Sequence, residues 1–183
     1  SAETQAFIDG FRSAQNVARH YGQTIEFSGA RAGTLSNHFC GATQDSFGLT
    51  ADGSVSACYE VFTESTPWAE KFIYGEYDED QQGFRFDLTV LNKLRQRTVD
   101  RCDVCHGCFA KWSCGGDCYY KTLAFNNDGE FLGTDRCHII RELTKDQLLE
   151  NIELSGGFVW HPFPEENLQN IAYRATTHAK EST

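Results

Sequence analysis

Cys102-Asp103-Val104-Cys105-His106-Gly107-Cys108-Phe109-Ala110-Lys111-Trp112-Ser113-Cys114-Gly115-Gly116-Asp117-Cys118 places five of the chain's eight cysteines in one short run. The pattern is Cys-x2-Cys-x2-Cys-x5-Cys-x3-Cys, and nothing about folding a chain of 183 residues requires such crowding. A metal does require it, because soft thiolate donors must be gathered within a few ångströms, and x2 spacings turn two sulfurs toward one point. Disulfides compete poorly, since thiols this close in sequence would pair across strained short loops.

Cys40 and Cys58 precede this run and Cys137 follows it. Eight cysteines divide into two sets of four, which on counting alone suits two zinc ions as well as two iron-sulfur clusters. The surroundings favour iron-sulfur. Gly107, Gly115 and Gly116 let backbone amides approach inorganic sulfide, and Arg101, Lys111, Lys121 and Arg136 lie beside the ligands as counter-charge.

The flanking elements read as α+β. Apolar residues at Phe7, Ile8, Phe11, Ala14, Ala18 and Tyr21 recur at a helical period that stops at Gly22, and Thr24 to Phe27 then alternates like a short strand. Phe47 to Val61 reads as a hairpin around Ala51-Asp52-Gly53-Ser54, with Cys58 on the returning strand, and Leu123 to Leu132 as a second hairpin around Asn126-Asn127-Asp128-Gly129. Two further helices are expected. One runs from Leu88 to Val99 capped by Asp87, the other from Arg136 to Leu154 with Ile139, Ile140, Leu143, Leu148, Leu149 and Ile152 inward and Cys137 in its first turn. Tyr77 to Gly83 reads as a solvated acidic loop. Residues 155–183, with Gly156-Gly157, Pro162 and Pro164, read as a loosely attached tail.

Composition narrows the function classes. A formal net charge of -10 without a basic block argues against nucleic acid as a partner. No run approaches the roughly 18 apolar residues of a membrane span, and the N-terminus has no signal-peptide pattern, so a soluble cytoplasmic chain is expected. The chain contains no methionine, even at position 1, and is expected to be a processed, split or truncated piece of something longer.

The order Cys40, twelve residues, Gly53, four residues, Cys58, a gap, Cys105-x2-Cys108-x5-Cys114-x3-Cys118, a gap, then Cys137 resembles the seven-cysteine signature of the SPASM domain. Phe39-Cys40-Gly41 and Asp52-Gly53-Ser54-Val55 are similar to the usual surroundings of those ligands. The resemblance implies two auxiliary [4Fe-4S] clusters in the C-terminal domain of a radical SAM enzyme that modifies a peptide or protein. They would serve electron transfer or substrate engagement.

By that resemblance Cys40, Cys58 and Cys118 hold the first cluster, and Cys105, Cys108, Cys114 and Cys137 the second. Residues 1–35 are then the terminal helix-strand unit of a radical SAM barrel, 36–154 the auxiliary-cluster domain and 155–183 a tail. The sequence departs from the family in two ways. It has no Cys-x3-Cys-x2-Cys motif to hold the cluster that binds S-adenosylmethionine, so the chain alone is expected to be inactive and to need a radical SAM catalytic domain as partner. It also has no cysteine between residues 41 and 52, where some relatives supply a fourth ligand for the first cluster. Cys102, outside the signature and tethered through the same segment as Cys118, is expected to complete that cluster.

Other residues have blander readings. His106 and His138 adjoin ligand cysteines and are expected outside the ligand set. Asp117 reads as a turn residue bonding nearby amides rather than a general base. Trp112 and Phe109 are expected to shield a cluster from water. No serine-histidine-aspartate or paired-carboxylate arrangement stands out.

Overall fold

The computed structural model describes residues 1–123 and 133–157. The chain forms two compact units, Ser1–Leu148 and Leu149–Thr183.

The first unit is α+β. Helix α1, Ala2–His20, starts where the Ser1 side chain caps the amide of Thr4, and Ile8 on its inner face is fully buried. After it, Thr24–Phe27 is not a strand. The alternation there has no sheet edge to join. Phe27 instead packs edge-on against Phe7 and Phe11.

The sheet is an antiparallel meander of four strands in the order β1-β2-β3-β4. Strands β1 (Gly48–Leu49) and β2 (Ser54–Ser56) form the expected hairpin, with Gly53 at φ +85 in its turn, a conformation that glycine adopts without strain. Cys58 is not on the returning strand; it lies two residues past the end of β2. Strands β3 (Ile73–Asp78) and β4 (Gly83–Phe86) form a second hairpin, pairing Tyr77 with Phe84 and Gly75 with Phe86. Tyr77 and Asp78 are therefore strand residues, and only the middle of the expected acidic loop is a turn. The structure joins the two hairpins into one sheet through β2 and β3.

A short helix α2 (Ala69–Phe72) precedes β3. Helix α3, Leu88–Arg95, begins at Asp87, whose carboxylate accepts from the amides of Thr89 and Val90, and it ends four residues short of Val99. Val55, Cys58, Val61, Phe72, Tyr74, Leu94 and Leu123 form the largest core. The cysteine-rich segment then runs through two 3-10 turns, Val99–Arg101 and Asp103–Cys105, and two short helices, α4 (Lys111–Cys114) and α5 (Tyr119–Leu123).

Helix α6 spans Asp135–Leu154 and carries Cys137 in its first turn. Its first turns pack on α1: Ile8, Ala30 and Leu143 are buried together, and Arg12 bonds Asp146 and Glu142. Leu148, Leu149 and Ile152, expected inward, are exposed. The buried stripe ends at Leu143 and Thr144, and Gln147 turns to bond the backbone of Ala30 and Ala32. In the second unit the helix closes in a turn through Ser155–Gly157, with the Gly157 amide donating to Ile152. The hairpin expected at Leu123 to Leu132 lies, past Leu123, outside the described residues, as does the tail from residue 158. No helix among the described residues is long and apolar enough to cross a membrane.

Candidate metal centre

The cysteines fall into two neighbourhoods, and backbone docking sets them up. The segment before Cys40 is laid against the cysteine-rich run: the Ser36 amide donates to Trp112 O at 2.8 Å and the Val99 amide to Asn37 O at 2.8 Å. Gly115, at φ +68, lies so close to His38 that a Cβ there would overlap the His38 carbonyl. Arg31 fastens the two segments, donating to the carbonyls of Phe39 (2.9 Å), Ser113 (3.1 Å) and Cys114 (3.1 Å).

The first neighbourhood contains Cys40, Cys58 and Cys118. Burial raises the Cys58 thiol, opposed by a bond from the Glu60 amide, and the nearby Cys118 and Cys40 raise it further as like charges. Burial likewise raises Cys118, opposed by the Lys121 amide, with Cys40 again acting as a like charge. These three residues come from well-separated parts of the sequence. Cys118 thus leaves its close sequence neighbours.

The second contains Cys105, Cys114, Cys137 and Cys108. Cys105 is buried with Val99 and Cys102, and Cys137 packs against that group, while Cys114 is buried with Ala110 and Ile140 against Cys108 and Phe27. Burial, and then the charge of Asp117, push the Cys114 thiol up to about 11, while the amides of Asp117 and Gly116 pull the other way. The Asp117 amide donates to Cys114 Sγ at 3.1 Å.

Cys102, expected with Cys40, Cys58 and Cys118, has its sulfur against Cys105 and accepts from Arg97. The hydrogen bond with Cys105 lowers Cys102 to about 6, burial opposes this, and Arg97 lowers it again. Cys105 is raised in turn by the same hydrogen bond and by burial. Among the described residues, no group of three or more histidine, cysteine, aspartate or glutamate side chains converges on a point that would hold a single metal ion.

The neighbours expected to matter divide. Arg136 faces the site and pairs with Asp117, and Lys121, paired with Glu60 at 2.7 Å, also lies near Cys118, whereas Lys111 lies over the Trp112 ring. Trp112 and Phe109 are exposed and do not seal the cysteines; Val99, Ala110, Ile140 and Phe27 do. His106 is exposed and bonds Asp100 O, and His138 is exposed. Sequence reasoning missed Arg31. Its signal, a lone arginine nine residues before Cys40, does not point to carbonyls some eighty positions further on.

No family model matches the chain, and neither a curated protein nor a solved structure matches it.

Proposed function

We propose that this chain holds two [4Fe-4S] clusters and is the auxiliary-cluster part of a radical SAM enzyme that modifies a peptide or protein in the cytoplasm, where thiols stay reduced. One observation carries the reading. Cys118 and Cys40 act on Cys58 as like charges and Cys40 acts on Cys118, while the charges that act on Cys105 are those of Cys102, Cys114 and Cys137. That division supports the crossover implied by the seven-cysteine resemblance, in which Cys118 serves a different cluster from Cys114.

The residues fit thiolate ligation. Backbone amides of Glu60, Asp117, Gly116 and Lys121 are directed at the sulfurs of Cys58, Cys114 and Cys118, and such bonds offset the cost of keeping a sulfur ionised in apolar surroundings. Cys40, Cys58 and Cys118 would hold the first cluster, and Cys105, Cys108, Cys114 and Cys137 the second. When bound, such clusters supply one-electron transfer. The chain's own part is to keep the thiols together, bury them and set the charge around them. Cleavage of S-adenosylmethionine belongs to a catalytic domain, because no Cys-x3-Cys-x2-Cys triad lies in these residues.

Anaerobic reconstitution of the chain with iron and sulfide tests the reading. A brown protein with broad absorption near ~400 nm, retaining iron and sulfide through desalting, is expected. A colourless protein that instead retains two zinc ions would replace it with a structural zinc module.

A further inference from the structure

We infer that Asp117 and Arg136 form a charge-cancelling clasp that positions ligands of both proposed clusters and sets the potential of each. This deepens the metal-thiolate reading and rests on it.

The Asp117 side chain is 0% exposed. Its Oδ2 accepts from Arg136 Nε at 2.9 Å, and its Oδ1 accepts from Arg136 Nη2 at 2.9 Å and from the Cys118 amide at 2.7 Å. Its own amide donates to Cys114 Sγ at 3.1 Å. One residue therefore touches a ligand of the first set through its carboxylate and a ligand of the second through its backbone. Arg136, next to Cys137, ties the same carboxylate to the start of α6. The backbone at Asp117 has φ +59, a region that aspartate and asparagine tolerate better than most residues, and there the carboxylate bonds the very next amide.

Burying a carboxylate among thiols is costly, because each negative charge opposes the others. Arg136 cancels that charge, and its guanidinium acts on Cys118 and Cys114 as well as on Asp117. Remove the carboxylate charge alone, and an uncancelled cation faces sulfurs of both sets. A cation favours the more negative, reduced form of a cluster, so both reduction potentials should rise. A fold-only role for Asp117 makes no such demand.

The test uses the full chain, reconstituted anaerobically with iron and sulfide, and redox titrations followed by absorption and electron paramagnetic resonance. Asp117→Asn keeps the side chain's size and an acceptor for the Cys118 amide while removing its charge. It should raise both potentials and loosen iron retention about tenfold. Arg136→Gln should lower both, and the Asp117→Asn/Arg136→Gln double variant, neutral again, should return both toward wild type. An Asp117→Asn protein whose potentials stay put, or move at one cluster only, overturns the clasp. Should that variant fail to fold, Arg136→Gln decides alone, and unmoved potentials there overturn it equally. A wild-type chain that takes up no iron overturns the cluster reading itself, and the clasp with it.

Discussion

Arg31 holds Phe39 twice, donating from Nη1 to its carbonyl at 2.9 Å while the guanidinium carbon sits 5.4 Å from the centre of its ring. Its other nitrogens take the carbonyls of Ser113 and Cys114. The residue before Cys40 is thereby fixed to the end of α4, and the two neighbourhoods of cysteines share one cationic brace. Arg31→Ala should cost about 2–4 kcal/mol, since bonds from a charged donor to part-buried carbonyls are worth more than neutral ones and do not add fully. Arg31→Lys, a point charge without the fork, should recover only part of it. Urea denaturation of the three proteins measures both.

Gly115 and Gly10 make an opposed pair. A methyl at Gly115 would overlap the His38 carbonyl, lie 2.7 Å from the Phe39 amide and force an L side chain to φ +68. Gly115→Ala should therefore destabilise by more than about 2 kcal/mol, through backbone that cannot yield without freeing Cys40. Gly10, in the middle of α1, has nothing within 4 Å of its added Cβ. Gly10→Ala should stabilise by about 0.5–1 kcal/mol from helix propensity alone. Paired thermal melts would show shifts of opposite sign.

Much of the helical frame was legible because it is local. The apolar period of α1, the Asp87 cap of α3 and the place of Cys137 in α6 depend on residues a few positions apart. The strand expected at Thr24–Phe27 failed because alternation reports a half-buried face, not the presence of a partner edge. The reverse error hid β3 and β4: Tyr77-Asp78-Glu79-Asp80 looks solvated, although Tyr77 and Phe84 meet across the ladder with ring centres 5.3 Å apart. The braces around the cysteines were invisible for another reason. Asp117 with Arg136, and Arg31 with Cys114, are charge partners set by docking, and no period or spacing encodes them.

The α1–α6 contact should depend on both salt and acid. Arg12 meets Asp146 at 2.7 Å and Glu142 at 3.2 Å on a half-exposed surface, so Arg12→Ala should cost about 0.5–1 kcal/mol, less at high ionic strength. The Glu142 carboxyl is lowered, mainly by Lys145 and also by Arg12. A lowered folded-state pKa means a contribution present above the unfolded value and lost as pH falls through the folded one. Wild type should therefore lose stability over that acid window more steeply than Glu142→Gln, as read by denaturation at stepped pH.

Order in residues 99–123 and at the start of α6 should depend on bound metal. The cysteine run is built of 3-10 turns and helices of four or five residues, too short to persist alone. Structural metal sites commonly contribute on the order of 10 kcal/mol to folding. Chelation under reducing conditions should abolish hydrogen-exchange protection there while sparing α1. Protection that survives metal removal would count against any metal role in holding this segment.

Cys102 gives the most discriminating single substitution, because its sequence and its surroundings point to different partners. Tethered near Cys118, it has the reach to complete the Cys40, Cys58 and Cys118 set. Yet its sulfur lies against Cys105 and accepts from Arg97, with Thr98 O 3.5 Å away. Arg97 in turn stands 5.2 Å from the Tyr119 ring, next to Cys118, so the cation that faces Cys102 borders both neighbourhoods. Cys102→Ser preserves a hydroxyl for Thr98 and Arg97 but removes the sulfur that faces Cys105. From this geometry the spectrum and potential of the proposed second cluster should change, while the proposed first keeps its iron and its signal. Iron counting with electron paramagnetic resonance on the reconstituted variant separates the two cases. Loss of one cluster's signal with the Cys105, Cys108, Cys114 and Cys137 cluster intact would instead make Cys102 the fourth ligand of the first, and would mean that its side chain swings from Cys105 when metal binds.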